Sequence, residues 1–269
     1  MGSFKLVLSD IDGTILDDDQ QVDPVLISEI SRLKELGIPF VLTSARSPEG
    51  MTAIADEMGL ANVPLSCYNG AYLVNSSADG PTVISSHQLP VAEVRDILSL
   101  LQKNYPRVAI NLYSKSDWYV GKIDSWVHEE ARITKITPAV VDLNDFIKQN
   151  PVHKLLLIGE KCIIKKITQQ LSLMPCKNIN FVLSKENYLE VINKTASKAQ
   201  ALKELANYYQ LDLSQTIACG DNFNDVPMIQ EAGLGVAMEN APEKVKEAAD
   251  VVTDSNNNNG VAKILKKYI

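Results

Sequence analysis

The sequence predicts an α/β protein with a doubly wound, Rossmann-like parallel sheet as its core and an inserted α+β unit. Short apolar runs alternate with helix-period segments over residues 4–68, the alternation gives way to mixed order between about 83 and 188, and it resumes from Lys198. The expected division is a core of residues 1–82 and 189–269 with an inserted cap of residues 83–188.

Residues 4–9 form an apolar run with one lysine that stops in Asp10-Ile11-Asp12-Gly13-Thr14, a turn-forming cluster, so a buried strand followed by a loop is expected. Over residues 24–36, Leu26, Ile30 and Leu33 recur at helical spacing, Pro24 suits a first turn and Gly37 supplies the stop. A strand at 38–42, a helix at 49–58 ended by Gly59 and a strand at 64–68 complete a βαβαβ run. Residues 71–75 and 82–86 flank Ser-Ser-Ala-Asp-Gly-Pro, a turn sequence suited to an antiparallel hairpin. In the insert, helices are expected at 91–103, 123–132 and 163–173, and strands at 108–113, 155–158 and 181–183. The core then returns with a helix at 198–209, a strand at 216–219, a helix at 226–232, a strand at 234–238 and a helix after Gly260. The asparagine run 256–259 reads as a surface loop without chemistry.

The chain has 269 residues, 45% of them hydrophobic, enough for a large core. Its net charge of -7 and pI near 5.1 disfavour nucleic acid and anionic membrane as partners, because both would be repelled. Cys67, Cys162, Cys176 and Cys219 are scattered without C-x-x-C spacing, which fits reduced thiols in a cytoplasm. Neither a long apolar segment at the start nor a later run of ~20 apolar residues is present, so a soluble, cytoplasmic protein is expected, as a monomer or weak homo-oligomer.

The chemistry concentrates where strands end. In Asp10-Ile11-Asp12 the carboxylates are two residues apart, so an extended backbone projects both to one side at the strand's C-terminal end, where open α/β sheets bind ligands. One carboxylate there can attack phosphorus while the other hands a proton to the leaving oxygen. Gly13 and Thr14 let backbone N–H groups face a phosphate, although the same residues also make ordinary turns. Gly220-Asp221-Asn222-Phe223-Asn224-Asp225 follows another apolar strand and adds a second acidic loop. Two such loops without histidine or thiolate suit a hard cation such as Mg²⁺ rather than zinc. Thr43, Ser44 and Arg46 follow the second strand, where hydroxyls and a guanidinium could hold phosphate oxygens or simply cap the next helix. Lys198 opens a helix, a position the helix dipole disfavours for a cation, and a bound anion or a nucleophilic carboxylate would account for it. His87, His128 and His153 lack paired spacing and read as structural or exposed, as do Trp118, Tyr119 and Trp126.

These residues resemble the four motifs of the haloacid dehalogenase-like (HAD) superfamily, and more narrowly its Cof-type phosphatases with a class IIB cap. Asp10-Ile11-Asp12-Gly13-Thr14 is similar to the first motif, Ser44-Ala45-Arg46 to the second, Ser197-Lys198 to the third, and Gly220-Asp221-x-x-Asn224-Asp225-x-x-Met228 to the fourth. Asn69-Gly70-Ala71, the stretch Gly235-Val236-Ala237-Met238 with Asn240-Ala241, and Gly260-Val261-Ala262 resemble further Cof-type stretches. The second motif departs from the family in carrying Ala45 where glycine is usual, and Thr43 competes with Ser44 for the phosphate.

The resemblance implies that Asp10 is the nucleophile of an aspartyl-phosphate mechanism and Asp12 its acid and base. It implies Mg²⁺ on the Asp10 carboxylate, the Asp12 carbonyl oxygen and Asp221, with Asp225 behind them holding metal-bound waters. Ser44, Lys198 and Asn224 would contact the phosphoryl group, and Arg46, Asn69 and Gly70 the phosphate or substrate side. The implied partners are small phosphorylated metabolites, sugar phosphates first, then nucleotide, flavin or pyridoxal phosphates. A phospho-accepting signalling module and a catalytically silent metabolite-binding protein are the alternatives: stable phospho-Asp without turnover would mark the first, and turnover of an aryl phosphate with and without Mg²⁺ tells an enzyme from the second.

Overall fold

A computed structural model describes residues 4–77 and 80–269. The chain divides into two compact units, Met1–Ser85 with Ser197–Ile269, and Ser86–Ala196.

The first unit contains β1 (Leu6–Asp10), α1 (Pro24–Glu35), β2 (Phe40–Thr43), α2 (Pro48–Glu57), β3 (Pro64–Cys67), β4 (Tyr72–Ser77) and β5 (Gly80–Ser86). Ala78 and Asp79, inside the expected hairpin turn, lie outside the described residues, as do Met1, Gly2 and Ser3. In the second unit follow α3 (Val91–Asn104), β6 (Ala109–Ser114), β7 (Asp117–Val120), α4 (Ser125–Thr134), β8 (Ala139–Val140), α5 (Leu143–Gln149), β9 (Lys154–Ile158), α6 (Lys161–Ser172), β10 (Ile179–Lys185) and β11 (Tyr188–Asn193). The first unit resumes with α7 (Lys198–Tyr208), β12 (Thr216–Gly220), α8 (Val226–Glu231), β13 (Leu234–Ala237), α9 (Glu243–Lys246), β14 (Val251–Val252) and α10 (Gly260–Tyr268).

The sheet of the first unit runs β14-β13-β12-β1-β2-β3-β4-β5, parallel from β14 to β3, with β4 antiparallel to β3. Every residue of β1, β2 and β12 is buried, as expected for strands covered on both faces. Leu202 and Leu205 of α7 and Met228 of α8 pack with Leu6, Leu8 and Ala218 of the sheet. Strand order reverses beside β1, which pairs with β2 on one side and β12 on the other, so a crevice opens at their carboxyl ends. Register decides what meets there: Ser9 stands opposite Cys219, and Asp10 opposite Thr43. Asp10, Ser44 and Asp221 therefore leave three adjacent strands at one edge.

The second unit is a sheet in the order β10-β11-β9-β6-β7-β8. One face is lined by Leu112, Leu155, Leu157 and Val191 against Val94 and Leu98 of α3. The expected boundary at 188/189 moves to 196/197, because β11 pairs with β9 and β10 and so belongs to the insert rather than the core. Toward the other face lie buried polar groups: Tyr188 donates to Glu130 of α4 at 2.8 Å, Lys154 approaches Glu190 at 3.8 Å, and Trp118 donates to Asn111 at 3.1 Å. Trp126, half-buried, lines a groove of about 530 Å³ with Tyr105, Arg107 and Lys122.

His153 is buried and held at both ring nitrogens. Its Nδ1 accepts from the Lys115 amide and its Nε2 pairs with Ser86 Oγ, both at 3.0 Å. Burial, helped by Lys115 and His87, pulls its pKa down to about 4. The unfolded chain takes up this proton near pH 6.5, whereas the folded chain refuses it until about pH 4. Stability should therefore fall as pH drops through that window, by roughly 3 kcal/mol at most from this group. Urea titrations of wild type and His153→Gln from pH 7 to 4 are expected to show the wild type losing stability more steeply. Parallel curves would remove His153 as the cause.

Among the described residues no helix is long and apolar enough to cross a membrane.

Candidate active site

Asp10 is the last residue of β1 and is 7% exposed. Lys198, the first residue of α7, is 2% exposed and donates from Nζ to Asp10 Oδ1 and Asp225 Oδ1, each at 2.5 Å. A lysine at a helix N-terminus is thus compensated by two carboxylates, the environment that its position demanded. Asp221 completes the cluster: ligand atoms of Asp10, Asp221 and Asp225 lie within 4.8 Å of one another. Residues more than 180 positions apart meet because β1 and β12 are neighbours in the sheet.

Three carboxylates around one ammonium leave about two negative charges in a mostly buried place. The strain shows in the titration. Burial pushes the Asp10 carboxyl up to about 7 against the pull of Lys198, and Asp225 and Asp221 push the same way. Asp221 is raised by burial and by Asp225, although a hydrogen bond from Thr14 opposes this. Burial works against the charge of Lys198, but Asp10 and Asp225 outweigh it and hold the ammonium above its usual range. A divalent cation would offset the excess charge, and oxygen donors suit a hard one. Burial pushes the neighbouring Cys219 thiol up to about 12, and its sulfur is not among the grouped ligand atoms, which are those of Asp10, Asp221 and Asp225.

The oxygens of the acids are already divided among partners. Asp225 Oδ1 takes Lys198, and Oδ2 accepts from the amides of Asp221 and Asn222 at 3.0 and 2.9 Å. Asp225 is fully buried, and with Lys198 on one oxygen and two amides on the other its geometry suits holding Lys198 and the 221–222 turn in place. Asp221 Oδ1 accepts from Thr14 Oγ1 at 2.9 Å, a side-chain role that the motif reading of Thr14 missed.

Asp12 is not in the cluster. Its side chain is half exposed and forks with Arg46, Nη2 to Oδ1 at 2.6 Å and Nε to Oδ2 at 3.0 Å. Arg46, expected on the phosphate or substrate side, is thus spent on fixing a carboxylate. Thr43 and Ser44 are placed differently. Thr43 Oγ1 pairs with Ser66 Oγ at 2.9 Å inside the sheet, while Ser44 lies past the strand end, its Oγ accepting the Arg46 amide at 3.2 Å.

Tyr68–Gly70 forms a 3-10 turn in which all three residues have positive φ. The turn joins three motifs. The Asn69 amide donates to Ser44 O at 2.8 Å, Asn69 Oδ1 accepts from Asn224 Nδ2 at 3.2 Å, and Gly70 abuts the residue before Lys198. A Cβ on Gly70 would stand 2.3 Å from Ser197 O, so only glycine fits this buried contact. Gly70 acts here as a spacer, and Asn69 faces Asn224.

The sequence pattern of the haloacid dehalogenase-like hydrolases matches residues 7–265, the stretch that holds all of these groups. The chain belongs to that family. A Haemophilus influenzae protein is 35% identical to this hydrolase over 265 residues, 98% of each chain. A 5-amino-6-(5-phospho-D-ribitylamino)uracil phosphatase of Bacillus subtilis is 27% identical over 266 residues, 98% of this chain and 97% of the relative. Among solved structures, a HAD-superfamily phosphatase from Bacteroides thetaiotaomicron superposes with a TM-score of 0.81 at 29% identity, covering 99% of this chain and 96% of the other. The hydrolase is accordingly a phosphoric monoester hydrolase with the α/β core and inserted unit of HAD phosphatases.

Proposed function

We propose that this hydrolase is a Mg²⁺-dependent phosphatase of small phosphorylated metabolites that works through a phosphoryl group carried on Asp10. The observation that carries the reading is the surplus of carboxylate at Asp10, Asp221 and Asp225 around the single ammonium of Lys198, at the crevice beside β1. Asp10, Asp221 and the Asp12 carbonyl oxygen would hold the cation, which when bound supplies positive charge against these carboxylates and the phosphoryl oxygens.

The Asp10 carboxylate attacks phosphorus and the ester P–O bond breaks as Asp12 gives its proton to the leaving oxygen. Asp12, now a carboxylate, takes a proton from water, whose oxygen attacks the phosphoryl-Asp10 phosphorus and returns the free carboxylate and phosphate. Lys198 fixes the Asp10 carboxylate for attack and keeps the site from accumulating unbalanced charge as the phosphoryl group enters. Ser44 and Asn224 hold the phosphoryl oxygens, with Asn69 steadying the Asn224 amide. Arg46 presents the Asp12 carboxylate in one orientation.

The insert, a self-contained sheet unit, serves as the cap that chooses the substrate. Sugar phosphates are the first substrate class, and the Bacillus relative's phosphorylated ribityl compound adds an open-chain sugar phosphate to the candidates. A panel of phosphorylated metabolites assayed with Mg²⁺, with EDTA and with Ca²⁺ tests the reading. Release of phosphate from sugar phosphates with Mg²⁺ and its loss in EDTA is the expected result. Full activity in EDTA would overturn the metal dependence.

A further inference from the structure

The asparagine run that reads as a featureless loop is tied to the loop carrying Asp12 and Gly13. Asn256–Asn258 forms a 3-10 turn, and its side chains reach back more than 230 residues. Asn256 Nδ2 donates to Leu16 O at 2.9 Å, and its amide donates to Asn240 Oδ1 at 3.1 Å. Asn240 Nδ2 in turn donates to Gly13 O at 2.8 Å. Asn257 accepts the Asp18 amide and donates to the Asp18 carboxylate, both at 3.0 Å. Carboxamides therefore grip the segment from Gly13 to Asp18 at three places along six residues.

What they grip leans on Asp221. Gly13 has φ +80, and a Cβ there would lie 2.6 Å from Asp221 Oδ2, so the Gly13 backbone packs directly against that carboxylate. Thr14, the next residue, donates to the other Asp221 oxygen at 2.9 Å. The Gly13–Thr14 peptide thus sets where both Asp221 oxygens stand, and Asn240 holds that peptide by the carbonyl oxygen of Gly13.

We infer that Asn240, braced by Asn256, is a positioning residue for the metal site: its amide fixes the Gly13 carbonyl, and through Gly13 and Thr14 it fixes the Asp221 carboxylate. The inference rests on the metal reading above. Groups that orient ligating carboxylates typically change metal affinity 10- to 100-fold when removed.

The test is calorimetric titration of Mg²⁺ into the apo protein, wild type, Asn240→Ala, Asn240→Asp and Asn256→Ala, with a thermal melt of each. Asn240→Ala is expected to weaken Mg²⁺ binding about 10-fold, and kcat at saturating Mg²⁺ to change far less than the metal concentration giving half-maximal rate. Asn256→Ala should weaken binding in the same direction by less, since Asn240 keeps its bond to Gly13. Asn240→Asp keeps the acceptor for the Asn256 amide but loses the donor to Gly13 O. It should therefore bind Mg²⁺ as poorly as the alanine variant, whereas recovery by aspartate would assign Asn240 to fastening the 255–259 turn alone and overturn the inference. Wild-type affinity in folded Asn240→Ala would overturn it too, while leaving the phosphatase reading intact. Absence of Mg²⁺ binding by the wild type would instead remove the metal reading, and this inference with it.

Discussion

Asp10→Asn is expected to lower turnover of any phosphate ester by about four orders of magnitude or more while leaving the fold intact. The amide keeps the shape of the carboxylate and can still accept from Lys198, but it is a far poorer nucleophile and cannot form the acyl phosphate. The effect on stability has an informative sign. Wild-type Asp10 is a buried acid raised to about 7, so at pH 8 its charge weighs against the folded state when no cation is present. Removing that charge relieves repulsion from Asp221 and Asp225, and without Mg²⁺ at pH 8 the variant should melt no lower than the wild type. Phosphate release and a thermal melt measure both effects. Near-normal turnover would remove Asp10 as the nucleophile.

Lys198→Met is the second large effect, and here activity and stability should fall together. Methionine fills most of the volume of the lysine stem but leaves the Asp10 and Asp225 carboxylates facing each other without the ammonium that each contacts at 2.5 Å. Breaking a buried ion pair from one side costs roughly 3–5 kcal/mol, because the remaining charge is stranded. The rate should fall on the order of 10³-fold, the scale seen when a preorganised electrostatic contact to the reacting group is lost. Adding Asp225→Asn to Lys198→Met removes one stranded charge and should return part of the stability without returning activity. Urea midpoints at fixed slope measure the first effect and phosphate release the second. A single variant as stable as the wild type would show that the three carboxylates do not depend on Lys198 for compensation.

Much of this site was legible because its chemistry sits in contiguous motifs at strand ends. Asp10 and Asp12 follow an apolar run, as does Asp221, and a parallel sheet with β1 and β12 as neighbours brings such ends together. The helix-opening Lys198 was legible as an anomaly that a nearby anion would account for. What the sequence concealed were bonds between side chains that share no local pattern. Arg46 forking to Asp12, Asn224 donating to Asn69 and Asn256 reaching Leu16 O all depend on loop conformations that no periodicity encodes.

The elements missed in the insert have local causes. β7 follows β6 through Lys115 and Ser116, with Lys115 at φ +53, and this pair carries none of the Asn-Gly signal that marks a tight hairpin. β8 is two residues long. β11 holds Glu190 in a buried strand because Lys154 of β9 lies 3.8 Å away, a compensation visible only after the strands pair. The expected boundary therefore leaves residues 189–193 on the core side with no strand foreseen there, although the ladder they form belongs to the insert.

The most direct measurement is chemical trapping of the phosphoryl group during turnover. Enzyme turning over a sugar phosphate with Mg²⁺ is quenched and reduced with borohydride, which converts an aspartyl phosphate to homoserine, and the peptides are read by mass spectrometry. Homoserine at position 10, absent in EDTA and in Asp10→Asn, is the expected result. Modification at another acid, or active enzyme that never yields a modified Asp10, would contradict a phosphoryl group carried on Asp10.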